Sequence, residues 1–411
     1  MTTTRSTSIP FGQYPHKEKL FNRGIVTVLN AQFFSAFADN ALFFVLMEIV
    51  TQGSFGKEGT YILQGTFALF YILLAPFVGH IADNLAKSQV LLIGNGIKIL
   101  GMALLFTGIN PFVCYAIVGF GAAVYSPAKF GVLSEFVSNR LLIKANGLIE
   151  GSTIVAILLG SALGGILAES NLMLAMILSL TTFILALLFN LFIPNIAPRR
   201  KDGFKPGIIT KKFVITLRRL LRDKRARFAI LGTSLFWSGV ATLKLLLNDW
   251  VRDVLGAGTE KVSELSLIVG VGVILGSAIA ALTITQKNIK LSLWAGIGMS
   301  LAVILFLIQE NLYLAYTALL LVGIFGGIFL IPLNAMIQER GGSIKSTGTA
   351  IAIQNLFENS IMMLSILIFG LLVSFSGFSI VVLMGVFSGL FLLCVLMLFV
   401  HIRIRNVFED A

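Results

Sequence analysis

The stretch Leu172–Phe192 contains no charged residue, and neither does Ile154–Ala168 or Ile380–Val400. Runs of this kind match the ~20 helical residues that cross a hydrocarbon core about 30 Å thick. In hydrocarbon every backbone N–H and C=O must be satisfied within the protein, which leaves only helices or a closed barrel. The runs lack the alternation between lipid-facing and lumen-facing residues that barrel strands show, so an all-α membrane protein is expected. Composition agrees. Hydrophobic residues make up 57% of the chain and charged residues 12%, where a soluble domain is roughly a quarter charged, and a water-soluble fold is thereby excluded.

Twelve transmembrane helices are expected, starting near residues 22, 60, 90, 111, 145, 171, 228, 263, 291, 311, 348 and 376. Connections as short as Gly108–Pro111 and Gln309–Asn311 make consecutive spans antiparallel neighbours. The net charge of +12 would point to nucleic acid in a soluble protein. Here the basic residues fall between alternate spans, the pattern that anchors cytoplasmic loops against an anionic leaflet. With both termini cytoplasmic, the inner loops hold Lys87, Arg140, Lys144, Lys287, Lys290, Arg340 and Lys345, and the tail holds Arg403 and Arg405, while the outer loops hold only Lys57, Arg252 and Lys261. The polar segment Met1–Lys19 has no apolar run of a cleavable signal, so the first span is expected to direct insertion. Cys114 and Cys394 lie far apart inside apolar runs, which indicates neither a disulfide framework nor a thiol metal site.

The longest polar stretch, Pro194–Arg227, separates six spans from six and carries twelve basic residues against Asp202 and Asp223. This gives a cytoplasmic N-terminal segment (1–21), a six-helix half (22–193), a basic cytoplasmic linker (194–227), a second six-helix half (228–400) and a cytoplasmic tail (401–411). Within the linker, Phe213, Leu217, Leu220 and Leu221 share one helical face, as in a helix lying on the inner leaflet; the plainer reading is a charged topogenic linker with no further role. The halves look related, since Gly121, Pro127 and Lys129 of span 4 align with Gly326, Pro332 and Asn334 of span 10. Two such halves are what a parallel-repeat transporter shows, with substrate held between them near the midplane.

A charge near the bilayer centre costs ~2.5–3.5 kcal/mol on insertion scales, so each needs a partner or a watery cavity. Span 1 carries Gln32, Ser35, Asp39 and Asn40 as one polar stripe; span 4 carries Tyr125, Ser126 and Lys129; span 7 carries Trp237, Lys244 and Asn248; span 11 carries Gln354, Asn355, Glu358 and Asn359. Asp39, Lys129, Lys244 and Glu358 either tie helices together as ion pairs or line a cavity for a charged headgroup or a proton. Four charges on four separate helices exceed what packing requires, so Asp39, Asn40, Lys129, Lys244, Gln354 and Glu358 are the candidate substrate-binding residues. Asp83 and Lys87, in the short loop after span 2, are candidates for a cytoplasmic latch, with Glu150 a further gating candidate. Lys98 and Glu150 lie about two turns from the cytoplasmic ends of their spans, where snorkelling to the interface is the simpler expectation. Gly147/Gly151, Gly160/Gly164, Gly272/Gly276 and Gly323/Gly327 have the spacing that lets helices pack closely. His16, His80 and His401 are scattered, and no P-loop, His-Glu-x-x-His or Gly-x-Ser-x-Gly motif occurs. Neither metal, cofactor nor catalytic machinery is expected.

The string Gly79-His-Ile-Ala-Asp83-Asn-Leu-Ala-Lys87 resembles a shortened form of the Gly-x-x-x-Asp loop, closed by a basic residue, of the major facilitator superfamily. More specific strings are Ala31-Gln-Phe-Phe-Ser-Ala-Phe-Ala-Asp39-Asn-Ala-Leu42, Tyr125-Ser-Pro-Ala-Lys129-Phe-Gly131, Lys144-Ala-Asn-Gly-Leu-Ile-Glu150, Gly232-Thr-Ser-Leu-Phe-Trp237, Pro332-Leu-Asn-Ala-Met-Ile-Gln-Glu-Arg340 and Gln354-Asn-Leu-Phe-Glu358-Asn. From about residue 25 to 400 the chain resembles the bacterial lysophospholipid transporters of the inner membrane. That resemblance implies the major facilitator fold and movement of lysophospholipids, chiefly lysophosphatidylethanolamine, from the outer to the cytoplasmic leaflet. It also implies reacylation there by an acyltransferase/acyl-carrier-protein synthetase. Some relatives are fused to those enzyme domains; this chain ends after span 12, so a separate enzyme is expected. Lys244 departs from the arginine expected there, keeping the charge and losing the bidentate fork. The rival readings are a proton-coupled exporter of drugs or small solutes, with Asp39 or Glu358 carrying the proton, and a membrane-embedded acyltransferase.

Overall fold

The structure is a computed structural model that describes residues 9–10, 13–15, 17–53, 58–198, 200–256, 259–285, 289–308, 312–375 and 377–404. His16, Lys57, Arg199, Lys287 and Arg405 lie outside the described residues, as do 1–8 of the N-terminal segment and the end of the tail. Fourteen α-helices are present among the described residues: α1 (Arg23–Gln52), α2 (Glu58–Leu73), α3 (Ala75–Asn84), α4 (Lys87–Leu105), α5 (Pro111–Phe136), α6 (Leu142–Ser170), α7 (Leu172–Leu191), α8 (Pro206–Arg222), α9 (Lys224–Asp253), α10 (Thr259–Thr283), α11 (Leu291–Ile308), α12 (Leu312–Ser343), α13 (Thr347–Phe375) and α14 (Ile380–Ile404). Among the described residues ten helices are long and apolar enough to cross a membrane, α11 is a shorter apolar helix, and α2 with α3 forms a bent pair.

The second expected span is thus not one straight helix. It breaks at Leu74 and turns by 63°. Pro76 sits in the first turn of α3, where its missing N–H and its ring prevent the ladder of α2 from continuing. The helix of the seventh expected span starts at Lys224 instead of near 228, because the Asp223 carboxylate accepts from the Ala226 N–H (2.8 Å) and caps it there. Gly377, at φ +69°, supplies the left-handed turn between α13 and α14, which delays the last helix to Ile380. Pro127 and Pro332, aligned in the sequence comparison of the halves, both lie inside long helices, α5 and α12.

The chain divides into two compact units. One comprises Met1–Ala145, Ser152–Arg218 and Gln338–Asn355; the other comprises Asn146–Gly151, Arg219–Ile337 and Leu356–Ala411. In the first, Leu42, Leu46, Leu63, Met102, Val118 and Phe183 belong to one buried apolar cluster. Backbones approach closely where glycines allow it: a Cβ on Gly121 of α5 would lie 2.6 Å from the Gly94 carbonyl oxygen of α4, and one on Gly164 of α6 would lie 2.5 Å from the Ala41 Cα of α1. The N-terminal segment docks on this unit. Ile9 donates to the Asn195 carbonyl and accepts from the Ala197 N–H (both 2.9 Å). The Asn22 side chain caps α1 at the Ile25 N–H (3.0 Å) and donates to the Phe136 carbonyl at the end of α5 (2.9 Å). In the second unit α10 and α12 meet through Gly272, Gly276, Gly323 and Gly327; a Cβ on Gly327 would lie 2.6 Å from the Val273 carbonyl oxygen. The small-residue spacing read in the sequence is here a helix contact.

Candidate functional site: charge pairs inside apolar helices

The polar stripe of α1 faces protein over most of its length. Gln32 donates to Thr153 Oγ1 on α6 (3.0 Å), and Asn40 turns back to the Ala36 carbonyl (2.8 Å). Between them lies a buried ion pair. Lys98 Nζ of α4 is 2.6 Å from Asp39 Oδ2 and donates to Ser35 Oγ (3.0 Å), which in turn donates to Asn95 Oδ1 (2.9 Å). The ammonium also lies 5.1 Å from the Tyr125 ring centroid and 5.8 Å from that of Phe183. Lys98 is 2% exposed, so the expectation that it snorkels is corrected. Its chain runs across to α1, because burying an ammonium beside a carboxylate and a hydroxyl costs less than leaving Asp39 uncompensated. Asp39 retains 21% exposure. The close approach of α4 to α5 at Gly94 and Gly121 is what sets Tyr125 beside this lysine.

A second cluster sits where α3 ends. The Asp83 carboxylate accepts from the Gly348 N–H (2.7 Å), the Thr349 N–H (3.0 Å) and Thr349 Oγ1 (2.6 Å), and Asp83 is 6% exposed. Gly348 and Thr349 lie in the first turn of α13, whose N–H groups have no partner within the helix and whose dipole favours an anion. The contact requires small residues on both sides, since a Cβ on Gly79 would lie 2.8 Å from the Thr349 Cα and one on Gly348 would lie 2.6 Å from the Ala82 Cβ. Lys87, read alongside Asp83, binds elsewhere. Its Nζ lies 2.5 Å from Glu135 Oε1 of α5, both side chains being buried, and Gly131 leaves room for its methylenes. Lys87→Met will strand the Glu135 charge, at a cost of ~3–5 kcal/mol, and Lys87→Met with Glu135→Gln will recover most of it. Thermal unfolding in detergent checks this; an unchanged midpoint for the single variant contradicts it.

The remaining candidates are dispersed. Glu150 is 3% exposed and accepts from Asn334 Nδ2 (3.4 Å), so it does not snorkel either. Asn355 donates to Ser126 Oγ (2.9 Å), and Gln354 is buried beside it in sequence. Lys129 is half-buried, with its Nζ 4.0 Å from the Phe130 ring centroid, and Glu358 is half-buried on α13. Lys244 is exposed on α9. Sequence reasoning missed Glu135, Asn95 and the true partner of Asp39. Asn95 and Lys98, three apart, share a helix face, and that spacing was the available signal.

The linker forms helix α8, but the face read as lipid-facing is not free: Phe213 and Leu220 are buried, as is Ile209. Asp202, just before α8, donates its N–H to Asn84 Oδ1 (2.6 Å) and accepts from Lys212 (2.8 Å). That bond from Lys212 holds the Asp202 carboxyl below the usual carboxylate range. Among the described residues no group of three or more His, Cys, Asp or Glu side chains is placed to hold a metal ion.

Residues 28–363 match the family described as the Major Facilitator Superfamily. The chain is 44% identical over 356 residues to the lysophospholipid transporter LplT of Yersinia pestis (strain Pestoides F), covering 86% of this chain and 88% of that protein. It is equally similar to LplT of Yersinia pseudotuberculosis serotype O:3 (strain YPIII). Among solved structures, the major facilitator transporter FucP superposes with a TM-score of 0.75 at 14% identity, over 94% of this chain and 99% of that one. The human organic anion transporter MFSD10 gives 0.73 at 16% identity, over 92% and 99%. Likeness at that identity concerns the fold alone.

Proposed function

This chain belongs to the major facilitator superfamily and, within it, to the bacterial lysophospholipid transporters, and on that premise we propose that it carries lysophospholipids across the inner membrane by alternating access. The substrate we assign is chiefly lysophosphatidylethanolamine, moved from the outer to the cytoplasmic leaflet for reacylation by a separate acyltransferase/acyl-carrier-protein synthetase. Twelve spans with both termini cytoplasmic would fit this role; the ten long helices, the bent α2–α3 pair and the shorter apolar α11 support that count. We read the protein as a transporter, the role for which its relatives are named.

The observation that carries the reading is Asp39. A carboxylate in the middle of an apolar helix, held by a buried lysine and still partly exposed, is what a headgroup-binding site in a membrane requires and what a lipid-facing helix forbids. With Asn40, Lys129, Lys244, Gln354 and Glu358 it would supply both signs of charge for a phosphate and an amine. Asp83, bonded to the first turn of α13, would act as the cytoplasmic latch, with Lys87 and Glu150 as further gating residues. The test is uptake of labelled lysophosphatidylethanolamine by proteoliposomes with and without an imposed proton gradient. Transport without a gradient is expected; transport only with one, inhibited by cationic drugs, would return the proton-coupled exporter.

A further inference from the structure

Three buried polar atoms around Lys98 find no hydrogen-bond partner among the described residues: Asp39 Oδ1, Asn95 Nδ2 and Tyr125 OH. Each such atom is costly to leave unmade, and clustering around one lysine marks the place as built to receive something polar. Asp39 is the accessible edge of the cluster, with Asn95 and Tyr125 behind it. The carboxylate is used on one side only, Oδ2 being taken by Lys98 while Oδ1 is buried without a hydrogen bond among the described residues. Lys98 itself is held in place by Ser35, which is fixed in turn by Asn95.

The pair is neutral as a whole. A neutral pair offers Asp39 Oδ1 as an acceptor without presenting a net negative charge to an approaching phosphate. A bare carboxylate in the same low-dielectric surroundings would repel that phosphate, and would repel a net-anionic headgroup more than a zwitterionic one whose ammonium it can bind. We propose that Lys98 is a positioning and specificity-determining residue that acts through Asp39, cancelling the charge of that carboxylate where the headgroup meets it so that zwitterionic and anionic lysophospholipids are both admitted. This inference rests on the transport reading above and adds the residue that sets its headgroup range.

The experiment compares initial rates for labelled lysophosphatidylethanolamine and lysophosphatidylglycerol in proteoliposomes of wild type, Lys98→Met, Lys98→Gln and Lys98→Arg. The glycerol-to-ethanolamine rate ratio is expected to fall ~tenfold or more in Lys98→Met and Lys98→Gln, and to stay within ~twofold of wild type in Lys98→Arg. Lys98→Gln keeps a donor for Asp39 Oδ2 while losing the charge, and is read alone if Lys98→Met does not fold. A merely structural brace would slow both lipids equally. An unchanged ratio in the charge-removing variants therefore overturns this inference alone, whereas wild-type protein that moves neither lipid overturns the transport reading and this inference with it.

Discussion

Asp83→Ala will free the first turn of α13. Gly348 N–H, Thr349 N–H and Thr349 Oγ1 lose their shared acceptor, and the helix dipole loses its anion. Hydrogen bonds to charged groups and dipole terms of this kind amount to ~2–4 kcal/mol once water compensates the exposed donors. A difference of that size changes an open–closed equilibrium at least ~tenfold. The observable is labelling of cysteines engineered at Ser88 and Ser346, both buried and close in size to cysteine, with Cys114 and Cys394 replaced. Water-soluble maleimide should reach them at least ~tenfold faster in Asp83→Ala, with Asp83→Asn intermediate because one acceptor oxygen survives. Equal labelling rates in all three proteins would remove the latch.

Asp39→Asn should have a still larger effect, because it strands Lys98. An ammonium that is 2% exposed and meets only Ser35 Oγ and a neutral amide oxygen lacks its counter-charge, which is worth ~3–5 kcal/mol of lost stability, and transport should cease. Combining Asp39→Asn with Lys98→Met removes the stranded charge and should restore the thermal midpoint while leaving transport absent. Stability and function separate in the double variant, which is what distinguishes a binding carboxylate from a structural one. Recovery of transport together with stability would assign Asp39 to structure.

Where the sequence was informative, one physical constraint acted along the chain itself. Apolar length marked the helices, and a charge out of place in span 1 marked Asp39. The missing parts depend on which helices meet. Lys98 looked like a snorkelling residue because its depth is readable from its own helix, whereas its crossing to Asp39 depends on how α4 packs on α1. Lys87 reads in sequence as a topogenic charge near Asp83, yet Gly131 opens a path that leads it to Glu135. Phe213 and Leu220 have the periodicity of a membrane-surface helix, and periodicity does not say whether lipid or protein covers the face. The break at Leu74 was present in the sequence as Pro76, hidden inside an otherwise uninterrupted apolar run.

We assign Asp39, in its pair with Lys98, to a site that carries a lysophospholipid from one leaflet to the other. This is tested by following fluorescent lysophosphatidylethanolamine in proteoliposomes, with dithionite quenching only the label in the outer leaflet. Wild-type protein should change the protected fraction much faster than protein-free vesicles do, and vesicles containing equal amounts of inserted Asp39→Asn should behave like the protein-free ones. Wild-type vesicles indistinguishable from protein-free vesicles would contradict the transport claim, and Asp39→Asn moving the lipid at the wild-type rate would contradict the site.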